Sequence, residues 1–267
     1  MKLAVNYSTP LRKLIQADEV RVDLLKCPEW DGIVAPALAL GSVYIHFEIA
    51  LGRDIIHQLN FGLIRRMLRL TGTKYLNVHL SNLSHAVREG KNAKKNLLRR
   101  WESDLAVLRR EFPNKPIIAE NLPWLTFLPE LEIAADPELI SAFLTRNNLG
   151  LLLDLSHAQI SAEMFGISCE KYIARLPLKR LIELHVTGIR QYGGYATDHF
   201  EIQPEDWKVL EWAASQIACG AWKEPEIVAF EYGGVGDVFC WRTQESALLD
   251  QVPRLYQLFG EKTEASA

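Results

Sequence analysis

Only four cysteines occur in the 267 residues, at positions 27, 169, 219 and 240, and no two form a Cys-x-x-Cys pair. A cysteine-built structural zinc site and a disulfide scaffold are therefore disfavoured, and reduced thiols are expected. No apolar run approaches the roughly 20 residues of a membrane span, and the apolar part of the opening Met-Lys-Leu-Ala-Val-Asn is too short for a signal sequence. A cytoplasmic protein without a membrane partner is expected. Charge of one sign is lacking too: 30 basic and 33 acidic residues leave a net charge of −3. That balance disfavours nucleic acid as a partner, although it leaves room for a local basic patch. No Gly-x-Gly-x-x-Gly follows the first predicted strand, which weakens a doubly wound nucleotide-binding sheet as the alternative architecture.

What is present is a repeated strand-then-helix rhythm. Strands are predicted at 3–7, 20–27, 42–47, 75–80, 116–121, 150–154, 181–186 and 226–231. Helices are predicted at about 10–17, 54–70, 92–112, from Asp136-Pro137 onward, 160–176, 203–218 and 244–259. Pro10, Pro137 and Pro204 suit first helical turns, and Gly72 suits a C-terminal cap. A Pro/Ala/Gly-rich loop is read after the second strand. Eight mostly apolar strands in a chain of this length predict an α/β fold, a (β/α)₈ TIM barrel. One domain is expected over 1–260, with a flexible tail at 261–267.

Chemistry gathers at the carboxyl ends of those strands. His46, His79, Glu120, Asp154, His185 and Glu231 each end, or nearly end, a different strand, and His157 and the pair Asp198-His199 lie in loops just beyond. Five of the seven histidines belong to this set; His57 and His85 fall in a helix or outer loop and read as surface or packing residues. Each residue alone has a structural explanation: a hydrogen-bonded histidine, a capping aspartate, a paired glutamate. Together they would crowd buried charge on one rim of a barrel, and Lys26 is the only cation found at a strand end. Two or three divalent metal ions are the simplest compensators. Mixed imidazole and carboxylate donors without cysteine suit Fe, Zn or Mn in a catalytic site. Glu120, Asp154 and His185 are the candidate catalytic residues. Trp30, Trp124, Tyr192, Tyr195 and Tyr232 are expected in loops near the rim, and 191–195 reads as a mobile loop able to close over a substrate.

The order His, His, Glu, Asp-x-x-His, His, Asp-His, Glu resembles the xylose-isomerase-like TIM barrels, among them the endonuclease IV type of nuclease with its trinuclear zinc centre. Within that group, Val78-His79-Leu80-Ser81, Ala119-Glu120-Asn121, Gly150-Leu-Leu-Leu-Asp154 and the stretch Leu176 to Gly188 resemble the multinuclear non-haem iron-dependent oxidases of the methanobactin-maturation type. The resemblance implies that His46, His79, Glu120, Asp154, His185, Asp198, His199 and Glu231 hold two or three irons. It also implies oxidation of a peptidyl cysteine with dioxygen, often with a partner protein that presents the peptide. Two departures mark a divergent member. His157 stands where the oxidases usually carry Asn, and Asp198-His199 are adjacent where a spaced Asp-x-His is usual, leaving open which of the two binds metal.

The expected function is an iron-dependent oxidase acting on a peptide or small thiol. The alternatives are a zinc- or manganese-dependent hydrolase of the endonuclease IV type, or a sugar isomerase or epimerase with Lys26 as its base, unless that side chain merely snorkels to solvent. The basic residues from Lys91 to Arg110 read as the solvated outer face of a helix.

Overall fold

Side chains along a strand alternate between two faces, and here the alternation separates packing from chemistry. The computed structural model describes residues 1–82 and 92–260. In chain order its elements are β1 (Lys2–Asn6), α1 (Thr9–Gln16), β2 (Leu24–Cys27), α2 (Asp31–Leu38), β3 (Val43–Ile45), β4 (Ala50–Leu51), α3 (Phe61–Thr71) and β5 (Leu76–Leu80). Then come α4 (Ala93–Glu111), β6 (Ile117–Asn121), α5 (Leu131–Ala134), α6 (Pro137–Arg146), β7 (Gly150–Asp154), α7 (Leu155–Met164), α8 (Cys169–Ile173) and β8 (Leu181–Val186). The hairpin β9 (Gly188–Tyr192) and β10 (Tyr195–Phe200), α9 (Pro204–Ala218), β11 (Ile227–Phe230) and α10 (Glu245–Phe259) complete the chain.

The main sheet runs β3-β2-β1-β11-β8-β7-β6-β5-β4, every pairing parallel. Its two terminal strands, β3 and β4, are separated only by residues 46–49. One bent stretch therefore pairs with β2 at its start and β5 at its end, and this closes the barrel. Side chains stitch the seam: Asn77 accepts from Phe47 N–H at 2.7 Å and donates to Phe47 O at 2.9 Å, while Thr73 Oγ1 accepts from Ile45 N–H at 2.9 Å.

Outward-facing strand residues such as Leu3, Val5, Leu25, Val78, Leu153, Leu184 and Val228 join the helices in one continuous apolar core. Inside the barrel, Ala4, Tyr44 and Ala229 form a small apolar layer of their own. Two residues further along each of eight strand paths stand Asn6, Lys26, His46, His79, Glu120, Asp154, His185 and Glu231. Every strand path thus delivers one polar side chain to the top layer of the barrel interior, the place where barrels of this kind carry their sites.

The expected barrel is present, with local differences. Val20 to Asp23 precede β2 rather than belonging to it, and the Pro/Ala/Gly-rich loop is the helix α2, which tolerates Pro36 and buries Val34 and Ala37. The helix expected from Asp54 begins as a 3₁₀ turn at Ile56–Gln58 and restarts at α3, where Asn60 caps Leu63 N–H at 3.0 Å. Gly72 ends α3 in the left-handed conformation, as expected. The helix expected over 160–176 starts earlier and breaks between α7 and α8. The 191–195 loop is a hairpin turn between β9 and β10, tightened by Gly193 and Gly194 at φ of 61° and 85°. Two consecutive positive φ angles are what a two-residue hairpin turn needs, and paired glycines supply them. Tyr232 is not a rim residue: it is buried, stacks on Phe230 and accepts Gln244 N–H at 3.0 Å. The expected tail, His85 and Lys91 lie outside the described residues. No helix among the described residues is long and apolar enough to cross a membrane.

Candidate metal centre

Register explains why residues distant in sequence meet. His79 lies opposite Glu120 across the β5–β6 pair, and Asp154 opposite His185 across β7–β8. His46 follows β3, and Glu231 follows β11. His46 Nε2, His79 Nε2 and Glu120 Oε2 form a triangle with sides of 3.1, 3.4 and 3.2 Å. Ligands about 2.0–2.1 Å from one ion, at tetrahedral to octahedral angles, lie roughly 3.0–3.4 Å apart. A second group is His46, His185 and Glu231, with His185 Nδ1 3.2 Å from Glu231 Oε1. A third is Glu120, Asp154 and His157. The groups share His46 and Glu120, so they form one continuous array.

Buried atoms without partners test whether metal fits. His46 Nδ1 and Asp154 Oδ2 are buried with no hydrogen-bond partner among the described residues, and Glu120 Oε2 and His185 Nδ1, also buried, have ion-pair contacts with His79 and Glu231 but no hydrogen bond of good geometry. Leaving such groups bare costs about 1–3 kcal/mol each, and more when charged. Divalent cations satisfy an array of imidazole nitrogens and carboxylate oxygens of this kind, and the donor set fits them.

The charges agree. Burial pushes the Asp154 carboxyl up to about 7, helped by the neighbouring Glu231 and Glu120 and opposed by His157. Burial also disfavours charge on Glu120, but His79, His46 and His185 outweigh it and hold that carboxylate below its usual range. His185 reaches about 10 because the Glu231 carboxylate overcomes burial, and Asp154 and Asp198 lift His157 well above the usual imidazole value against the same burial. Without metal these two imidazoles carry protons that a metal ion must displace. Metal affinity is therefore expected to rise with pH through the neutral range. Calorimetric titrations of metal in buffers of different ionisation enthalpy should show net proton release; an equal heat in all buffers would contradict this charge assignment.

Supporting contacts orient the donors, and the sequence had not singled them out. His185 Nε2 donates to Glu183 Oε1 at 2.8 Å, which turns Nδ1 toward the array, and Tyr44 O–H donates to the same oxygen at 2.9 Å. His157 Nδ1 donates to Asn121 O at 2.8 Å, freeing Nε2 to face Asp198 Oδ2 at 2.9 Å. His79 Nδ1 donates to Ile49 O at 3.2 Å. Such partners fix tautomer and ring orientation. Glu183→Gln is expected to lower metal affinity about 10–100-fold while the barrel stays folded, measured by competition with a chelator.

Lys26 neither snorkels to solvent nor stands free as a base: it is buried and ion-paired with Glu231. Asp198 and His199 belong to β10 rather than to a loop. The β9–β10 register shifts between Thr197 and Phe200, and His199 sits at φ 62°. Ordinary alternation sends adjacent side chains to opposite faces, and a bulge breaks that rule. The irregularity lets Asp198 reach His157 while His199, like His157, lines a cavity above the donor array, a substitute for the spacing that a regular strand would require. The three donor groups include neither residue.

A family model described as "RiPP precursor modification enzyme MbnB/TglH/ChrH" matches residues 95–221, the segment that carries Glu120, Asp154, His157, His185, Asp198 and His199. Over that segment the chain is similar to this family. A UPF0276 protein of Pseudomonas aeruginosa (strain UCBPP-PA14) is 27% identical over 226 residues, 78% of each chain. A second UPF0276 protein, from P. aeruginosa strain PAO1, is 34% identical over 106 residues, 39% of this chain and 36% of that one. Among solved structures, a D-tagatose 3-epimerase-like protein aligns with a TM-score of 0.54 at 13% identity, covering 97% of this chain and 98% of its own. The 3-keto-D-glucoside 4-epimerase YcjR from E. coli aligns with a TM-score of 0.61 at 12% identity, covering 96% and 99%. At such identities these two show the shared α/β barrel fold alone.

Proposed function

We propose that this chain is an iron-dependent oxidase that modifies a thiol-bearing side chain of a peptide, with His46, His79, Glu120, Asp154, His157, His185, Asp198 and Glu231 around two or three ions. The observation that carries the reading is the shared array of buried imidazole and carboxylate donors, four of whose atoms make no hydrogen bond, in a chain related to peptide-modifying enzymes. Bound iron would supply coordination positions left open by the protein and electrons for dioxygen chemistry at the substrate thiolate. The residues do the rest. Glu183 holds the His185 tautomer, Lys26 neutralises part of the Glu231 charge, and Asn121 fixes His157.

The cavity over the array measures about 240 Å³, with His79, His199 and Leu122 among its walls, somewhat below the range usual for small-molecule sites. Exposed Tyr192, Tyr195, Phe127, Phe239 and Trp241, several of them in ring contact, stand in segments beyond the strand ends. Aromatic surface of this kind suits a peptide or a protein that presents one. Lys26, bound to Glu231, is poorly placed to serve as the free base of a sugar isomerase. For the test, protein reconstituted with iron without oxygen should hold two or more ions and consume oxygen as cysteine peptides lose thiol. Fewer than one ion per folded chain, or cleavage of abasic-site DNA by zinc-loaded protein with no oxygen uptake by the iron form, would overturn the reading.

A further inference from the structure

The barrel's opposite end holds a larger cavity, about 590 Å³, within the range of small-molecule sites. Its floor comes from strand beginnings: Ile117 and Ile118 of β6, Gly150 of β7 and Ile182 of β8. A Cβ on Gly150 would lie 2.7 Å from Ile182 and 2.9 Å from Ile118, so the floor is closely packed. The donor array sits at the other ends of the same strands.

Five cations line the wall: Arg109, Lys115, Lys179, Arg180 and Lys223. No carboxylate does, and among the described residues none of the five has an ion-pair partner within 4.0 Å. The neighbouring acid, Glu226, is taken by Lys74 at 2.7 Å and by Tyr75 O–H at 2.5 Å, and feels Lys223 only at longer range. Helix capping explains part of the arrangement. Arg109 donates to Asn147 O at the end of α6, and Lys179 donates to Gly220 O just past α9 at 2.8 Å. Lys115 donates to Thr73 O at 2.7 Å, and Arg180 to Asn148 Oδ1 at 2.9 Å. Asn148 itself holds φ at 50°. All these acceptors are neutral, so the positive charge is positioned without being cancelled. A guanidinium has five N–H groups and an ammonium three, so each retains donors beyond those bonds. Lys223 has no hydrogen-bond partner for its ammonium among the described residues. Uncancelled charge of one sign in a cavity with low-dielectric walls concentrates the opposite charge.

We propose that this cavity binds a small, multiply charged anion, a polyphosphate either free or carried on a nucleoside, at the end of the barrel away from the metal centre. Isothermal titration of inorganic triphosphate, inorganic pyrophosphate and ADP into the protein, before and after chelator treatment, tests it. One saturable site, unchanged by the chelator, is expected, weakened at least about tenfold by Lys179→Glu with Lys223→Glu. Lys223→Ala alone should give a smaller loss, and its exposed side chain makes it a control if the double variant does not fold. ADP binding tighter than inorganic pyrophosphate would place a nucleoside on the Ile118–Ile182 floor, and equal affinity would assign the site to the phosphates. No saturation at millimolar concentration, binding untouched by charge reversal, or binding that disappears with the chelated metal would overturn the proposal.

Discussion

Glu120→Gln is expected to empty the metal centre in one step. Its Oε2 is 3.2–3.4 Å from His79 and His46, and its Oε1 is 3.5 Å from His157 and 3.9 Å from His185. The residue belongs to two of the three donor groups, as His46 does, and it is the carboxylate those two groups share. The amide keeps the shape but loses the negative charge, and it turns an N–H₂ group toward nitrogens that need an acceptor or an ion. Metal content should fall from two or more ions to less than one. Activity should fall by more than the roughly 10–100-fold that loss of a supporting partner costs. Elemental analysis of folded protein checks the first point and oxygen uptake the second; a variant that keeps its full metal complement would remove Glu120 from the residues that would hold metal. Asp154 invites the same replacement but gives a less clean result, because its carboxylate also caps α7 by accepting His157 N–H at 2.8 Å. Changing it mixes metal loss with about 0.5–2 kcal/mol of helix capping.

The second large effect is on stability. Trp101 is fully buried on α4, lies 5.2 Å from the Phe143 ring and donates its indole N–H to Ser81 O at 2.9 Å. Ser81 directly follows β5, the strand that carries His79. Gly52, which follows β4, sits against the same two groups: at φ 86°, a Cβ there would meet Ser81 O at 2.3 Å and the indole nitrogen at 3.0 Å. Trp101→Ala is expected to cost about 3–5 kcal/mol through the cavity it leaves. At about 2–4 °C per kcal/mol, that lowers Tm by about 6–20 °C. Trp101→Phe keeps most of the packing but strands Ser81 O, for about 1–3 kcal/mol. Thermal unfolding of the metal-free forms separates the two terms. Equal losses from both variants would assign the whole effect to the hydrogen bond.

Much of the site could be read in the sequence because each ligand candidate is a polar residue ending an apolar strand, and a barrel brings all such ends together. Glu183 escaped because it looks like one more acid in the middle of a strand; only the fold shows that it shares a face with His185 two residues on and meets Tyr44 from β3. Lys26 was visible, but its burial against Glu231 depends on β2 and β11 both flanking β1, which no local pattern reveals. The β9–β10 hairpin carried a signal in Gly193-Gly194. Glycine marks turns and flexible segments alike, so the sequence alone does not separate this tight hairpin from a mobile loop. In α2, Gly32 and Pro36 concealed a helix whose buried side is only Val34 and Ala37.

The place where the barrel closes has a consequence for assembly. His46 lies on the bend between β3 and β4, and His79 lies on β5, the strand that the far side of the bend joins. Main-chain pairing there is thin, with β3 spanning Val43–Ile45 and β4 only Ala50–Leu51, and side chains of Thr73 and Asn77 bridge the interval. An ion held jointly by His46 and His79 would act as a clasp across this joint, tying the segment through β3 to the strands that follow it. Metal capture and completion of the cylinder would then be one event, and the cofactor would be a keystone of the architecture as well as a reagent.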